Sequence, residues 1–287
     1  HLRVENMLIL EYAGGQREAF LTARSTNGRC MTARDAAALL GKAVTGSRWS
    51  AAHDSKSIIT RNTATFRFME DGKYRMLFGA AGVPRAGEAV SGDSYTFREG
   101  AARQIIMSLS DGMGSGQRAS EDSGKVIELT EQLLETGFSA RSALKLVNTV
   151  LLLAGTEQKP ATLDLCCIDL GTGVLEAMKL GAVPTFILGR DGISLLEAGE
   201  VPMGVMQNVE PALLTRKLWD NERIVMVSDG VLEAMPGEQK EEAMKAFLEN
   251  LGEKHPQEMA DRILEFALSM EAAADDMTVL VGGIFER

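Results

Sequence analysis

Four acidic positions in this 287-residue chain share one local character: each is an Asp at the start or end of a β-prone run, beside small or turn-forming residues. Asp93 sits in Val90-Ser91-Gly92-Asp93-Ser94-Tyr95. Asp111 ends the apolar run 105–110 and opens Asp111-Gly112-Met113-Gly114-Ser115-Gly116. Asp229 ends the run 224–228 as Ser228-Asp229-Gly230, and Asp275-Asp276-Met277-Thr278 leads into the last apolar run. Strand termini hold side chains in fixed directions, and a following Gly lets the backbone turn sharply enough to offer its carbonyl beside the carboxylate. Such oxygen donors suit Mg²⁺ or Mn²⁺, which accept carboxylate, carbonyl and water. Carboxylates gathered without cations repel one another; two divalent ions relieve that repulsion and attract an anionic phosphate. Any single Asp-Gly is ordinary turn chemistry. Two Ser-Asp-Gly triplets after apolar runs, with Gly-Asp and Asp-Asp-Met-Thr at two strand starts, make the metal reading stronger than coincidence.

The elements that must position these residues read as two regions. Residues 1–71 predict a small α/β segment. Its strands are Arg3 to Tyr12 and Glu18 to Ala23, turned at Gly14-Gly15, and its helix is capped by Thr32 with a stripe of Ala36, Leu39, Leu40 and Ala43. Thr63 to Met69 is rich in β-formers. Asp71-Gly72 before Tyr74 to Phe78 reads as a hairpin turn, and the domain boundary is placed there. Residues 72–287 predict two adjacent helices, one through Ala119, Val126, Leu129 and Leu133 to Gly137, the next capped by Ser139 and running to Gly155. Strands follow at Thr162 to Asp169, Val174 to Leu180, Thr185 to Leu188 and Ile193 to Leu196. Their short turns require antiparallel neighbours, because parallel ones need long crossovers. Arg223 to Ser228, helices at Glu241 to Leu251 and Pro256 to Met270, and Met277 to Phe285 complete an α+β region.

Composition narrows the function classes. Hydrophobic residues make 45% and charged residues 24%, as in soluble globular proteins. The net charge of −10 with no dense basic cluster argues against a nucleic-acid partner. The longest aliphatic stretch, 147–154, is far short of the roughly 20 residues that cross a bilayer, so no membrane contact is expected of this segment itself. Cys30, Cys166 and Cys167 fit neither a disulfide framework nor a zinc pattern and suit a reducing, cytoplasmic setting. Gly112, Gly114 and Gly116 resemble a dinucleotide loop, but Gln117 stands where the third Gly belongs. Gly41-Lys42 is followed by Ala43 rather than a hydroxyl residue, which removes a P-loop. His1, His53 and His255 are too scattered for a zinc site, and no serine lies in G-x-S-x-G.

These motifs resemble the metal-dependent serine/threonine phosphatases of the protein phosphatase 2C (PP2C) type and, within them, the stage II sporulation protein E family. The resemblance runs from about Tyr74 to Arg287. It rests on Val-Ser-Gly-Asp-Ser-Tyr at 90–95, Ser-Asp-Gly-Met-Gly-Ser-Gly at 110–116, Thr-Leu-Asp-Leu at 162–165, Lys-Leu-Gly-Ala at 179–182, Ser-Asp-Gly-Val at 228–231 and Asp-Asp-Met-Thr at 275–278. It implies two antiparallel sheets packed as a sandwich flanked by helices, preceded in residues 1–71 by the end of a regulatory region. It also implies a membrane-spanning portion upstream in the full-length protein. By the same resemblance Asp111 bridges two Mn²⁺ or Mg²⁺ ions and the Gly112 carbonyl ligates one. Asp229 and Asp275 complete the other ion's shell, Asp93 binds directly or through waters, and Asp276 is the second choice to Asp275. The implied substrate is a phosphorylated anti-sigma-factor antagonist whose dephosphorylation frees a sporulation sigma factor. A homodimer and a cell-division protein contacting the regulatory region are further implied partners.

Two departures matter. Met113 stands where many relatives place a His able to protonate the leaving group, and a thioether transfers no proton. No Arg is marked as the phosphate clamp, although Arg85, Arg98 and Arg103 lie in the right part of the chain. The expected chemistry is hydrolysis of phosphoserine or phosphothreonine by a metal-activated water, with Asp93, Asp111, Asp229 and Asp275 as the catalytic set. The helices near 117–135 and 139–154 follow the Asp111-Gly112 segment directly and are read either as a switch of metal binding, linked to residues 1–71 or to dimerisation, or as passive packing. The alternative function is a phosphatase-like, non-catalytic module that binds a phosphoprotein or a divisome component.

Overall fold

The computed structural model describes every residue except 1, 13–14, 53–54, 101–102, 156–158, 198–200, 208, 253–254 and 271, and all of Thr45 but its side chain. His1, His53 and Gly14 therefore lie outside the described residues. The chain divides into two compact units, 1–72 and 73–287.

In the first unit β1 (Leu2–Glu11), β2 (Arg17–Ser25), β3 (Met31–Thr32), α1 (Ala33–Leu40), β4 (Trp49–Ala51), β5 (Ile58–Ile59) and β6 (Ala64–Glu70) follow in order. The main sheet runs β1-β2-β6-β4, and β3 pairs with β5. Thr32 caps α1 by accepting the Asp35 amide at 3.1 Å. The buried stripe is Ala33, Ala36, Ala37 and Leu40, packed with Leu21, Phe66 and Phe68; Leu39 points outward, because its position falls on the opposite side of the 3.6-residue turn. Among the described residues β6 pairs with β2 and β4 alone, so Asp71-Gly72 links the two units and closes no hairpin.

The second unit contains β7 (Tyr74–Val83), β8 (Asp93–Glu99), β9 (Gln104–Asp111), α2 (Gly116–Glu135), α3 (Ala140–Ala154), β10 (Leu163–Asp169), β11 (Val174–Leu180), β12 (Thr185–Gly189), β13 (Gly192–Leu196), β14 (Leu213–Lys217), β15 (Arg223–Val227), α4 (Asp229–Glu233), α5 (Lys240–Asn250), α6 (Pro256–Met270) and β16 (Met277–Glu286). Two five-stranded antiparallel sheets form, in the orders β14-β11-β10-β9-β8 and β13-β12-β15-β16-β7.

Period-two alternation sorts their side chains into layers. Met107, Leu109, Cys166, Ile168, Ile224, Met226 and Leu280 fill the space between the sheets. Ile106, Leu165, Cys167 and Met178, on the other face of the first sheet, receive Val126, Leu144 and Val147 from α2 and α3. Val225, Val227, Val279 and Val281 receive Met244, Leu248 and Ile263 from α5 and α6. The result is the helix-flanked sandwich anticipated above. Among the described residues no helix is long and apolar enough to cross a membrane. Cys166 and Cys167 are core side chains on β10, and burial pushes both thiols up, Cys167 to about 12, which removes them as nucleophiles.

Candidate metal centre

Because the strands are antiparallel, β8, β10, β12 and β16 begin where β7, β9, β11 and β15 end, and the marked residues collect at that shared end. Asp93, the first residue of β8, is the direct cross-strand partner of Asp111, the last of β9. Opposed residues in such a pair point to the same face. Asp229 follows β15 and opens α4, and Asp275 and Asp276 precede β16. The Ser228 hydroxyl donates to the Asp276 carbonyl at 3.2 Å and accepts the Thr278 amide at 2.8 Å, which pins the end of β15 to the start of β16. Thr162 grips Asp111 on both sides: its hydroxyl accepts the Asp111 amide and its own amide donates to the Asp111 carbonyl, each at 2.9 Å.

Gly112 is set by close approach. A Cβ there would lie 2.1 Å from the Ala119 carbonyl oxygen, so only glycine lets the end of β9 lie against α2. The Ser123 hydroxyl donates to the Gly92 carbonyl at 2.6 Å, tying α2 to the residue before Asp93 as well.

The electrostatics are those of crowded carboxylates. Burial pushes Asp93 up to about 6, with Asp276 and Asp229 adding repulsion; the Thr278 and Ser228 hydroxyls offset part of this without completing a hydrogen bond, and neither carboxylate oxygen has a partner among the described residues. Burial, then Asp93, Asp229, Asp275 and Asp276, push Asp111 up to about 8. Asp229 is raised by burial and by Asp275, although it accepts the Gly230 amide at 2.7 Å. A buried carboxylate with no donor costs free energy in a folded chain, and a cation would offset it. The donor set therefore suits a hard divalent ion in kind. Among the described residues no three acidic, His or Cys side chains stand close enough together to grip an ion.

The two final aspartates differ in employment. Asp276 is buried, and its two oxygens accept the Arg85 amide at 2.9 Å and the Gly92 amide at 2.8 Å. Asp275 is half-buried, accepts, among the described residues, only the Asp276 amide at 2.9 Å through one oxygen, and stands near enough to raise Asp111 and Asp229. Asp275 thus has ligating capacity to spare, while Asp276 braces the loops before β8 and β16. Asp276→Asn is expected to lose about 1–3 kcal/mol of stability in urea unfolding, because an amide group would face an N–H donor. Asp275→Asn is expected to leave that stability near wild type while weakening Mn²⁺ binding in a calorimetric titration.

Arg98 and Arg103 are set aside as phosphate clamps. Arg98 lies five residues along β8, about 17 Å from its start, and pairs with Glu131 and Glu135 of α2. Arg103 lies at the opposite end of the sandwich with φ 62°, its carbonyl accepting the Leu170 amide. Arg85 is at the correct end, exposed beside Asp276, as is Lys159, whose ammonium lies close to Gly114. Met113 is 53% exposed beside Gly112. Sequence reasoning gave no role to Asp164, Lys179 or Thr185, which lie buried behind Asp111; their signal was a pair of charges at apolar-parity positions of two core strands.

The family described as Stage II sporulation protein E (SpoIIE) matches residues 101–284. Stage II sporulation protein E of Bacillus subtilis (strain 168) is 35% identical over 211 residues, 72% of this chain and 26% of the relative. The protein of the same name from Priestia megaterium is 35% identical over 206 residues, 71% of this chain and 35% of the relative. The chain therefore spans about a quarter to a third of the length of these relatives. The solved structure of the PP2C phosphatase domain and a fragment of the regulatory domain of SpoIIE from Bacillus subtilis superimposes with a TM-score of 0.76 at 29% identity, covering 100% of this chain and 83% of that one. With strand-end carboxylates on a helix-flanked double sheet, the chain belongs to the SpoIIE family and carries its PP2C-type serine/threonine phosphatase domain.

Proposed function

We propose that residues 73–287 hydrolyse phosphoserine or phosphothreonine on a protein, with two Mn²⁺ or Mg²⁺ ions held by Asp93, Asp111, the Gly112 carbonyl, Asp229 and Asp275. The observation that carries this reading is the Asp93 carboxylate, 8% exposed, without a hydrogen-bond partner among the described residues, and directly across the strand pair from Asp111. A non-catalytic phosphoprotein-binding module has no use for that uncompensated carboxylate. When bound, divalent ions supply Lewis acidity toward the phosphoryl oxygens and acidify water at neutral pH. The chain's own part is to fix the donors. Thr162 holds Asp111, the Ser228–Thr278 link holds Asp229 against Asp275, and Asp276 holds the Gly92-Asp93 loop. Arg85 and Lys159 are the basic side chains placed to meet a phosphoprotein at this rim, and Met113 leaves leaving-group protonation to solvent or to the substrate.

The substrate class we favour is a phosphorylated anti-sigma-factor antagonist, a reading supported by membership of the SpoIIE family, with release of a sporulation sigma factor as the outcome. Residues 1–72 are read as the end of a regulatory region, supported by likeness over the whole chain to a structure that contains such a fragment. Contacts with a second copy or a cell-division protein through that region, and a cytoplasmic location beside an upstream membrane anchor, belong to the same reading. The test is phosphate release from a phosphoserine protein with Mn²⁺, with chelator, and with Asp229→Ala. Release that needs Mn²⁺ and falls by roughly a hundredfold or more in the variant supports the reading. Equal release in all three rejects it.

A further inference from the structure

Behind the carboxylates, between the two sheets, lies a second charged group. Asp164 on β10 and Lys179 on β11 are direct cross-strand partners. Cys166 and Ile168 follow Asp164 at alternate positions, and Ala177 and Leu175 precede Lys179; all four lie in the layer between the sheets, so Asp164 and Lys179 face it too. Lys179 and Thr185 are fully buried, and Asp164 is 1% exposed. The Lys179 ammonium donates to Asp164 Oδ2 and, at 2.7 Å, to Thr185 Oγ1, while the Thr185 hydroxyl donates to the same Asp164 oxygen. Thr185 opens β12, so the cluster joins the two sheets at the end where the carboxylates sit.

Stability alone does not account for this group. Burying two opposite charges costs several kcal/mol per ion, and an apolar pair of similar volume is often as stable or more so. Position accounts for it better. Among the described residues Asp164 Oδ1 has no hydrogen-bond partner, and Asp164 lines a cavity of about 20 Å³ together with Asp111, Thr162, Ser228 and Asp229. That volume suits one water, and these five polar residues, which face Leu109, Gly181, Ala182, Val183 and Val227 across it, offer it hydrogen-bond partners. Asp164 is two residues along the chain from Thr162, which immediately precedes β10, lines the same cavity and holds Asp111.

We infer that Asp164 and Lys179 are positioning residues of the metal centre. A water in the cavity donates to Asp164 Oδ1 and to the Asp111 carboxylate, fixing the latter's orientation, and Lys179 neutralises Asp164 so that this support adds no further repulsion. Outer hydrogen-bond partners of ligating groups act in this way, and their loss weakens metal binding about 10–100-fold.

The inference rests on the metal reading above, and its test separates the two. Mn²⁺ dissociation constants are measured on the 287-residue chain by electron paramagnetic resonance of free Mn²⁺, with urea unfolding in parallel. Asp164→Leu with Lys179→Met replaces the pair by apolar side chains; the expected result is stability at or above wild type with a dissociation constant raised roughly tenfold. Asp164→Asn, which keeps the shape, is expected to fold and to weaken binding in the same direction. Wild-type affinity in either folded variant, or failure of both to fold, overturns the inference and leaves the metal reading standing. A wild-type chain that binds no Mn²⁺ overturns the metal reading and this one with it.

Discussion

Asp111→Asn is expected to cost roughly a hundredfold or more in Mn²⁺-dependent phosphate release while making the chelator-treated chain more stable at pH 8 than wild type. The loss follows from removing the proposed bridging carboxylate. The gain follows from the raised pKa. Asp111 is pushed up to about 8 by burial and by four neighbouring aspartates, so the folded chain retains a proton that the unfolded chain has released near pH 4. Its contribution to stability is full below about pH 4 and is lost as pH rises through about 8. Asn does not titrate and escapes that loss. The difference at pH 8 should be on the order of 2 kcal/mol once partial exposure screens the repulsion. It should vanish at pH 4 and, for wild type, be reversed by added Mn²⁺, because binding releases the retained protons. Urea unfolding at pH 4, 6 and 8, with and without Mn²⁺, reads all of this. A wild-type chain that grows more stable between pH 5 and 8 in chelator, relative to the variant, would contradict it.

Gly112→Ala is expected to be the most damaging single methyl group in the second unit. The added Cβ would lie 2.1 Å from the Ala119 carbonyl oxygen and 2.7 Å from its carbon, both backbone atoms of α2. No side-chain rotation relieves such a contact, so the end of β9 or the first turns of α2 must move by about an ångström. A shift of that size at a reacting centre costs about 10²-fold in rate, and overpacking costs typically 1–3 kcal/mol. Phosphate release and thermal unfolding of the variant should both fall. Ser123 and Ala119 share the α2 segment that touches Gly92 and Gly112, so the same displacement reaches the Asp93 loop. Wild-type activity in this variant would mean that the packing of α2 on Gly112 is slack.

Much of this architecture was legible because strands buried on both faces, such as β10, β15 and β16, read as short, largely apolar runs bounded by turn residues. Strands β10, β11, β12, β15 and β16 fall within a residue of their expected spans, as do helices α5 and α6. What escaped had weak or misleading local signals. β14 is five residues of mixed character without an apolar run, and α4 is a single turn opened by Asp229 itself. Asp71-Gly72 carries hairpin chemistry, but a turn signal is local, and among the described residues β6 pairs with β2 and β4 and β7 with β16. The strand-end aspartates were visible because Asp-Gly after an apolar run is readable as text. The division of labour between Asp275 and Asp276 was not, since it depends on amides donated by Arg85 and Gly92, 191 and 184 residues away. Nor was the role of Arg98, whose partners on α2 only the folded chain brings near.

The carboxylates are contributed by both sheets: Asp93 and Asp111 ride on one, Asp229 and Asp275 on the other. A bound cation pair would therefore act as a rivet through two leaves whose spacing is kept by side chains such as Met107, Ile168 and Ile224, which carry no chemistry of their own. Slippage between the leaves would loosen the rivet, and fastening it would stiffen them, so catalytic fitness in this domain is inseparable from the thickness of its filling.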